Sequence, residues 1–476
     1  MTLAWLEKYK GEIGALFFFV ISCTVALIAT TTFDTGDSIT HYLISRNSFT
    51  HPELLLHHWG KPLFTLLSMP FAQLGFKGIE VYNCLVSALS AYLAFLTAKK
   101  MQFRYALMVY PFLLFAPKFF LGQFSGLTEP TFALCLIAGF YFMLDDKPVL
   151  ALLVISLSPF VRTEGFIIMI IYGIFLLLDK RWSLLPWLFA GLVLYSVIGF
   201  FYYHDILWVF HENPYAGGTN NYGHGTLDHY AVQLMYVLGV PFYILLLLGL
   251  VFFVVNILRK KYRLEDSFSL KSFMLLYGCL LGFIVSHTLF WWLGIFNSFG
   301  MVRIMICIVP LAAIVALQAL HYLGDGLASL LPQQKKNIGL LVFYSLVCIY
   351  VCIFPFTSNP AAYDLQKDFS ASEEQFAVKR LLLRHKELLS KAHVVYSSLP
   401  LVAMELMGKV DYENQKRIPS ASELHNITSG SIILWDNWFA VMESNIEDSL
   451  FNDSNLYQSL DKDSSDTYKI KLYLRR

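Results

Sequence analysis

Residues 14–47 read GALFFFVISCTVALIATTTFDTGDSITHYLISRN, an apolar run that ends in a loop bearing carboxylates. No charged residue interrupts Gly14 to Thr31, and a helix of that length nearly spans the ~30 Å hydrocarbon core of a bilayer. The run is too long for a signal-peptide core and no small-residue cleavage site follows it, which predicts a retained anchor. Working outward, similar apolar runs recur at 79–98, 105–121, 128–144, 149–161, 164–178, 184–203, 231–257, 271–293, 301–321 and 338–356, the first one itself covering 12–31. The runs at 149–161 and 164–178 are short and predict spans only if they extend into their flanks. Composition agrees with this reading: 57% of the 476 residues are hydrophobic and 14% charged, against about a quarter charged in soluble domains. The expected fold is therefore all-α and polytopic, with about eleven transmembrane helices.

The connections alternate sides, and basic residues mark the cytoplasmic one. Lys8, Lys10, Lys99, Lys100, Arg104, Lys147, Lys180, Arg181, Arg259, Lys260, Lys261, Arg263, Lys271, Lys335 and Lys336, 15 in all, fall on one side. Six, Arg46, Lys61, Lys77, Lys118, Arg162 and Arg303, fall on the other. This predicts a cytoplasmic N-terminus and an extracytoplasmic tail. The outer connections also hold most of the polar chemistry: the first loop (32–61), GQFSGLTEP, SPFVRTEG, the 204–230 connection and GIFNSFGMVR. Residues 357–476 carry 14 Lys and Arg and no spanning run. There, a Ser370-x-x-Glu373 capping box is expected to open an amphipathic helix. HVVYSS, SIILWD and YKIKLYL read as strands and PLVAMELMG as a helix, which predicts a small α/β domain. The expected domains are thus 1–356 and 357–476. The net charge of +1 gives no reason to expect a nucleic-acid partner, and all seven cysteines lie in apolar runs, as small buried hydrophobes do.

Phe33 to Pro62 concentrates Asp34, Asp37, His41, His51, Glu53, His57, His58 and Lys61 just beyond the first span. HYLISRN and PELLLHHW are short amphipathic segments suited to the membrane interface. A carboxylate there is able to act as a general base or to hold a metal. The other reading of Asp34 or Asp37 is a cap on the helix that begins near Ser38.

On these residues the chain resembles the GT-C glycosyltransferase superfamily, multi-spanning enzymes that use polyprenyl-phosphate sugars. FDTGDSITHYL occupies the place of the family's acidic first-loop motif, and HHWGKPLFTLLSMPFAQLG looks like its return into the membrane. SGLTEP and SPFVRTEG are similar to motifs of the bacterial mannosyl- and arabinofuranosyl-transferase-like members. YGHGTLDHYAVQLMYVLGVP and GIFNSFGMVRIMICIVPLAAI resemble later outer-loop motifs, the second with six residues between Arg303 and Pro310. The likeness runs from about residue 12 to 356. It departs at Gly36-Asp37-Ser38, where many members carry two adjacent carboxylates, so a divalent metal is left open and no metal ligand is assigned.

The resemblance implies a hexosyl- or pentosyltransferase integral to the cell membrane, the inner membrane of a bacterium. A sugar would pass from a polyprenyl-phosphate donor to a glycan, lipid or protein acceptor. Such chemistry needs a base for the acceptor hydroxyl, positive charge on the leaving phosphate, and a water-poor groove for the lipid. Asp37 is the expected base. Arg303 and Arg162 are the first choices for the phosphate, with Lys61, His41 and His58 behind them, and Asp34 is a further substrate ligand. Arg162 is equally suited to an ion pair with Glu164 or Glu129, and Arg303 to snorkelling. Glu129 and Glu164 either bind sugar hydroxyls or hold the arginines. The 204–230 connection reads as a lid or as a solvated linker. The competing function is a transporter or flippase for lipid-linked glycans, which predicts repeat symmetry and polar residues at mid-span; neither is visible in the sequence.

Overall fold

The computed structural model describes residues 3–214, 222–259 and 267–476. Lys260, Lys261 and Arg263 of the basic side, and residues 215–221 of the 204–230 connection, lie outside the described residues. The chain divides into two compact units. One comprises Met1–Ile28 and His51–Tyr363, the other Ala29–Thr50 and Asp364–Arg476. The carboxylate-bearing half of the first loop thus belongs with the C-terminal tail.

The first unit is helical. Seven helices among the described residues are long and apolar enough to cross a membrane: Glu7–Ile28, Phe76–Lys100, Trp182–Tyr203, Val240–Leu258, Ser267–Leu293, Val302–Leu330 and Gln333–Phe356. Shorter apolar helices cover Pro62–Ala72, Glu129–Leu144, Pro148–Phe160 and Gly165–Leu178. The chain is a polytopic membrane protein. Val302–Leu330 is its axis: 89% of its apolar window is buried, packed against Val240–Leu258, Phe76–Lys100 and Glu129–Leu144. Glu7–Ile28 buries only 22% of its window and leaves Leu16, Phe17 and Val20 exposed, as a helix solvated by lipid does.

Two predicted runs are not single helices. The run 105–121 divides into Val109–Leu114 and Pro117–Gly122. Ala116 between them is extended (ψ 110°), because the ring of Pro117 disfavours α geometry in the residue before it. The run 231–257 divides into His229–Leu238 and Val240–Leu258 at Gly239, whose φ of +76° suits a residue with no Cβ.

The second unit is built on a five-stranded mixed sheet in the order β2-β1-β3-β5-β4. Its strands are β1 (Val395–Ser397), β2 (Gln415–Lys416), β3 (Ile432–Asp436), β4 (Tyr457–Ser464) and β5 (Lys469–Arg475). β1 pairs in parallel with β2 and β3, while β5 runs antiparallel to β3 and β4. The parallel β1–β3 pair needs a crossover, which includes the helix Pro400–Leu406. β3 is buried at every position and centres a core of Ile433, Trp435, Phe451, Tyr457 and Tyr473. The helix Asp37–Asn47 packs on Pro400–Leu406, burying Ile39, His41, Tyr42 and Ile44.

The capping box of the tail helix stands two residues beyond its expected place. Glu373–Arg384 is capped by Ser372, whose Oγ accepts from Gln375 N (3.3 Å), while Gln375 Oε1 accepts from Ser372 N (2.8 Å). Ser-x-x-Gln at 372–375 satisfies the same pattern as Ser-x-x-Glu at 370–373, and the backbone N–H of Ser370 is already bonded to Gln366 O (3.0 Å).

Candidate active site

In the first unit, four of the expected site residues converge at the ends of apolar helices. Glu129 opens Glu129–Leu144, Arg162 and Glu164 precede Gly165–Leu178, and Arg303 lies in the 3-10 turn Val302–Ile308 that leads into the axial helix. Gly165 sits directly on the backbone of Ser158 and Pro159, with no room for a Cβ; this close approach shapes the turn that presents Arg162. The Arg162 guanidinium bridges both carboxylates. Nη1 lies 2.9 Å from Glu129 Oε1 and Nη2 2.8 Å from Glu164 Oε1, and Nη1 also donates to Thr128 Oγ1 (3.2 Å). Arg303 Nε stands 3.6 Å from the same Glu129 oxygen. Glu129 is buried, at 1% exposed, and the other three side chains are 11–15% exposed. Charges removed from water persist only when paired, and here two arginines are set against two carboxylates.

His287 joins this cluster from the helix Cys279–Leu293, with Nε2 3.4 Å from Glu164 Oε1 and its ring edge-on to Tyr230. The sequence reading missed it as one histidine in an apolar run. The available signal was that an ionisable residue within a span is usually functional and partnered.

Lys61 and His58 form a second group in the same unit. Lys61 is buried, heads the helix Pro62–Ala72, and adopts φ +62°, a left-handed conformation that costs a non-glycine residue about 1–3 kcal/mol and tends to mark function. The turn is tied by Gly60 N donating to His57 Nδ1 (3.3 Å) and Thr65 Oγ1 donating to Gly60 O (2.8 Å). The ring of His58 meets Trp208 edge-on, with centroids 5.0 Å apart. Burial first, then the Lys61 cation, pushes the His58 imidazole down to about 4, so it is neutral at physiological pH. Trp208 is fully buried and its indole N–H donates to Tyr195 O (2.8 Å). The start of the 204–230 connection is therefore anchored in the apolar cluster of Leu56, Phe160 and Tyr195.

Asp34, Asp37 and His41 belong to the second unit. Asp34 is the cap: its Oδ1 accepts from Gly36 N and Ser38 N, both at 3.1 Å. Asp37 is the first residue of the helix Asp37–Asn47, with Gly36 at the N-cap position. His41 is buried in the helix face that packs on Pro400–Leu406. Among the described residues, no group of three or more His, Cys, Asp and Glu is arranged to hold a metal ion.

No protein-family model and no curated protein sequence matches the chain. Solved structures do. The apo structure of ArnT from Cupriavidus metallidurans aligns with a TM-score of 0.60 at 12% identity, covering 99% of this chain and 98% of that one. The structure of the same protein bound to undecaprenyl phosphate aligns with a TM-score of 0.57 at 10% identity and the same coverage. The chain has the fold of these ArnT structures. Identities this low establish the architecture and leave the residues to be argued from their own chemistry. On that fold, the Glu129–Arg162–Glu164–Arg303–His287 cluster is a largely buried centre of paired charges at helix ends. The Lys61–His58 turn supplies a further buried cation.

Proposed function

We propose that this chain is a glycosyltransferase that moves one sugar from a polyprenyl-phosphate carrier to a glycan, lipid or protein acceptor on the extracytoplasmic face. One observation carries the reading: arginines and carboxylates gather at helix ends of a GT-C fold, the fold in which ArnT was solved with undecaprenyl phosphate. In the proposed reaction Asp37 takes the proton of the acceptor hydroxyl, whose oxygen attacks the anomeric carbon. The bond from that carbon to the phosphate oxygen breaks, and polyprenyl phosphate leaves with the electron pair. Cations near the phosphate favour this charge development. Arg162 has its guanidinium committed to Glu129, Glu164 and Thr128, which suits it to holding the site together. Arg303 and Lys61 are the residues assigned to the phosphate, and Arg303 offers a planar fork that matches phosphate oxygens.

The test is donor consumption, followed by mass spectrometry, with purified protein and a panel of polyprenyl-phosphate sugars. At least one donor is expected to be consumed, and Arg303→Lys is expected to weaken its use while keeping the charge. Normal turnover in a folded Arg303→Ala variant would remove the phosphate role and leave the ion pair with Glu129 as its explanation. If no donor is consumed and proteoliposomes instead move the intact lipid-linked sugar between leaflets, the chain is a flippase.

A further inference from the structure

Glu443 of the second unit is a carboxylate, 36% exposed, that no sequence motif accounts for. It closes the π-helical turn Phe439–Glu443. Asp436 holds the start of that turn at the end of β3, its Oδ2 accepting from Trp438 N (3.0 Å) and Phe439 N (2.6 Å) and its Oδ1 from Ala440 N (3.2 Å). The ring of Phe439 lies against Gly36, where an added Cβ would stand 3.2 Å from the ring. Gly36 is itself fixed by Asp34 and immediately precedes Asp37. Two hydrogen-bonded turns therefore meet at Gly36 and Phe439. Asp37 follows directly on one side, and Glu443 stands one helical turn along on the other. Arg417 anchors Glu443 from behind, with Nη2 3.2 Å from Oε2 and Nε donating to Ser444 Oγ (3.2 Å).

We propose that Glu443 is a positioning residue for Asp37, a carboxylate that the C-terminal tail sets near the one carboxylate of the FDTGDS motif that does not cap the helix. The charges around Glu443 agree with this placement. Burial pushes its carboxyl up, Arg417 pulls it down, and Asp37 and then Asp436 push it up again. Repulsion between carboxylates is mutual, so on this proposal the Glu443 charge works to raise the proton affinity of Asp37. A general base works best with a proton affinity near the working pH. The kinetic part of this inference rests on the proposed role of Asp37 as base; the pairing itself does not.

The experiment uses the full-length protein in detergent. Carboxyls are labelled with a water-soluble carbodiimide and an amine across a pH series, and the Asp37 and Glu443 peptides are quantified by mass spectrometry. Glu443→Gln is expected to lower the labelling midpoint of Asp37 by about one pH unit, and Asp37→Asn to lower that of Glu443 comparably, since coupling is reciprocal. Arg417→Gln is expected to raise both. An Asp37 midpoint unmoved by a folded Glu443→Gln variant overturns the proposal. Should that variant fail to fold, an Asp37 midpoint unmoved by Arg417→Gln overturns it equally. In the donor-consumption assay, Glu443→Gln is expected to move the acidic limb of the rate profile to lower pH by the same amount, with KM for the donor unchanged. Coupled midpoints with an unmoved rate limb would uphold the pair and refute Asp37 as the base.

Discussion

Asp34 and Asp37 stand three residues apart in one loop and serve different ends. Asp34 satisfies two backbone N–H groups at the start of a helix, so Asp34→Asn, which keeps an acceptor oxygen, is expected to cost a few tenths of a kcal/mol and Asp34→Ala about 1 kcal/mol. Asp37→Asn is expected to lower turnover by about 10²–10⁴-fold with donor binding kept. Kinetics of the two Asn variants decide the matter: near-normal turnover in Asp37→Asn beside a dead Asp34→Asn would exchange the roles. Arg162 obeys another rule. Removing it leaves Glu129 and Glu164 buried without their main cation, and breaking such a pair typically costs about 3–5 kcal/mol. Arg162→Ala is therefore expected to lose thermal stability, and the double variant Arg162→Ala/Glu164→Ala to regain part of it; a single variant as stable as the wild type would contradict the structural role. Much of this was legible in the sequence, because SGLTEP, SPFVRTEG and the GMVR turn each put a charge at the end of an apolar run. The pairing of Arg162 with Glu129 or Glu164 was among the readings the sequence offered; that of Arg303 with Glu129 was not, since the two are far apart in the chain and only helix packing brings them together. Glu443 gave no signal at all, standing in a polar tail without a motif.

At the scale of elements, apolar periodicity located almost every helix and the three buried strands, because burial writes a pattern. It overlooked β4, whose side chains are mostly exposed or half-buried in the order Tyr-Gln-Ser-Leu-Asp-Lys-Asp-Ser. An edge strand needs only one apolar face, and charges on it also discourage edge-to-edge pairing. It overlooked β2, which is two residues long. It ran through the breaks at Pro117 and Gly239, since hydropathy does not register backbone geometry. The elements of the second unit also set its pH dependence. Burial raises the carboxyls of Glu374 and Asp436, and burial with the Asp37 charge raises Glu443. An acid raised in the folded state contributes stability that is fully present below its unfolded pKa and is lost as pH climbs through the folded value. Asp461 has the opposite sign. Burial works to raise it, but the hydrogen bond from His385 (2.9 Å) and the nearby Arg384 hold it below the ordinary value. Its contribution is present above the unfolded pKa and fades as pH falls. The raised acids are therefore expected to make the second unit less stable as pH climbs through their folded values, and Asp461 to make it less stable as pH falls through its own. Glu374→Gln is expected to flatten the neutral-side decline and leave the acid side alone. Urea midpoints read by hydroxyl-radical labelling of the buried Trp435 measure both, and stability that rises steadily from acid to neutral pH in both proteins would contradict the assignment.

For the whole molecule, the decisive question is sidedness, and the two compact units sharpen it. Ala29–Thr50 and Asp364–Arg476 form one unit, so a membrane cannot separate them. If the first helix crosses the bilayer, the chain between residues 51 and 363 must cross it an even number of times to return. The seven long helices meet that condition, with six after the first, and so do eleven crossings, with ten after the first. The loop that carries Asp37 and the tail that carries Glu443 then share a side whatever the exact count. Basic residues predict which side: the split of 15 against six leads us to expect the N-terminus in the cytoplasm and this unit outside. The test starts from a variant lacking all seven native cysteines, all of which are free thiols. One new cysteine is placed at Asp466, in the exposed turn between β4 and β5, and another, in a separate variant, at Gln334, in the exposed first turn of the last long helix. Gly430 is unsuitable, because its φ of +80° disfavours any side chain. An impermeant maleimide is expected to label Asp466→Cys in intact spheroplasts and Gln334→Cys only after lysis. The reverse pattern would turn the protein over and move the proposed chemistry to the cytoplasmic face. Labelling of both in intact spheroplasts would mean an odd number of crossings between residues 334 and 466 is wrong, and with it the last span.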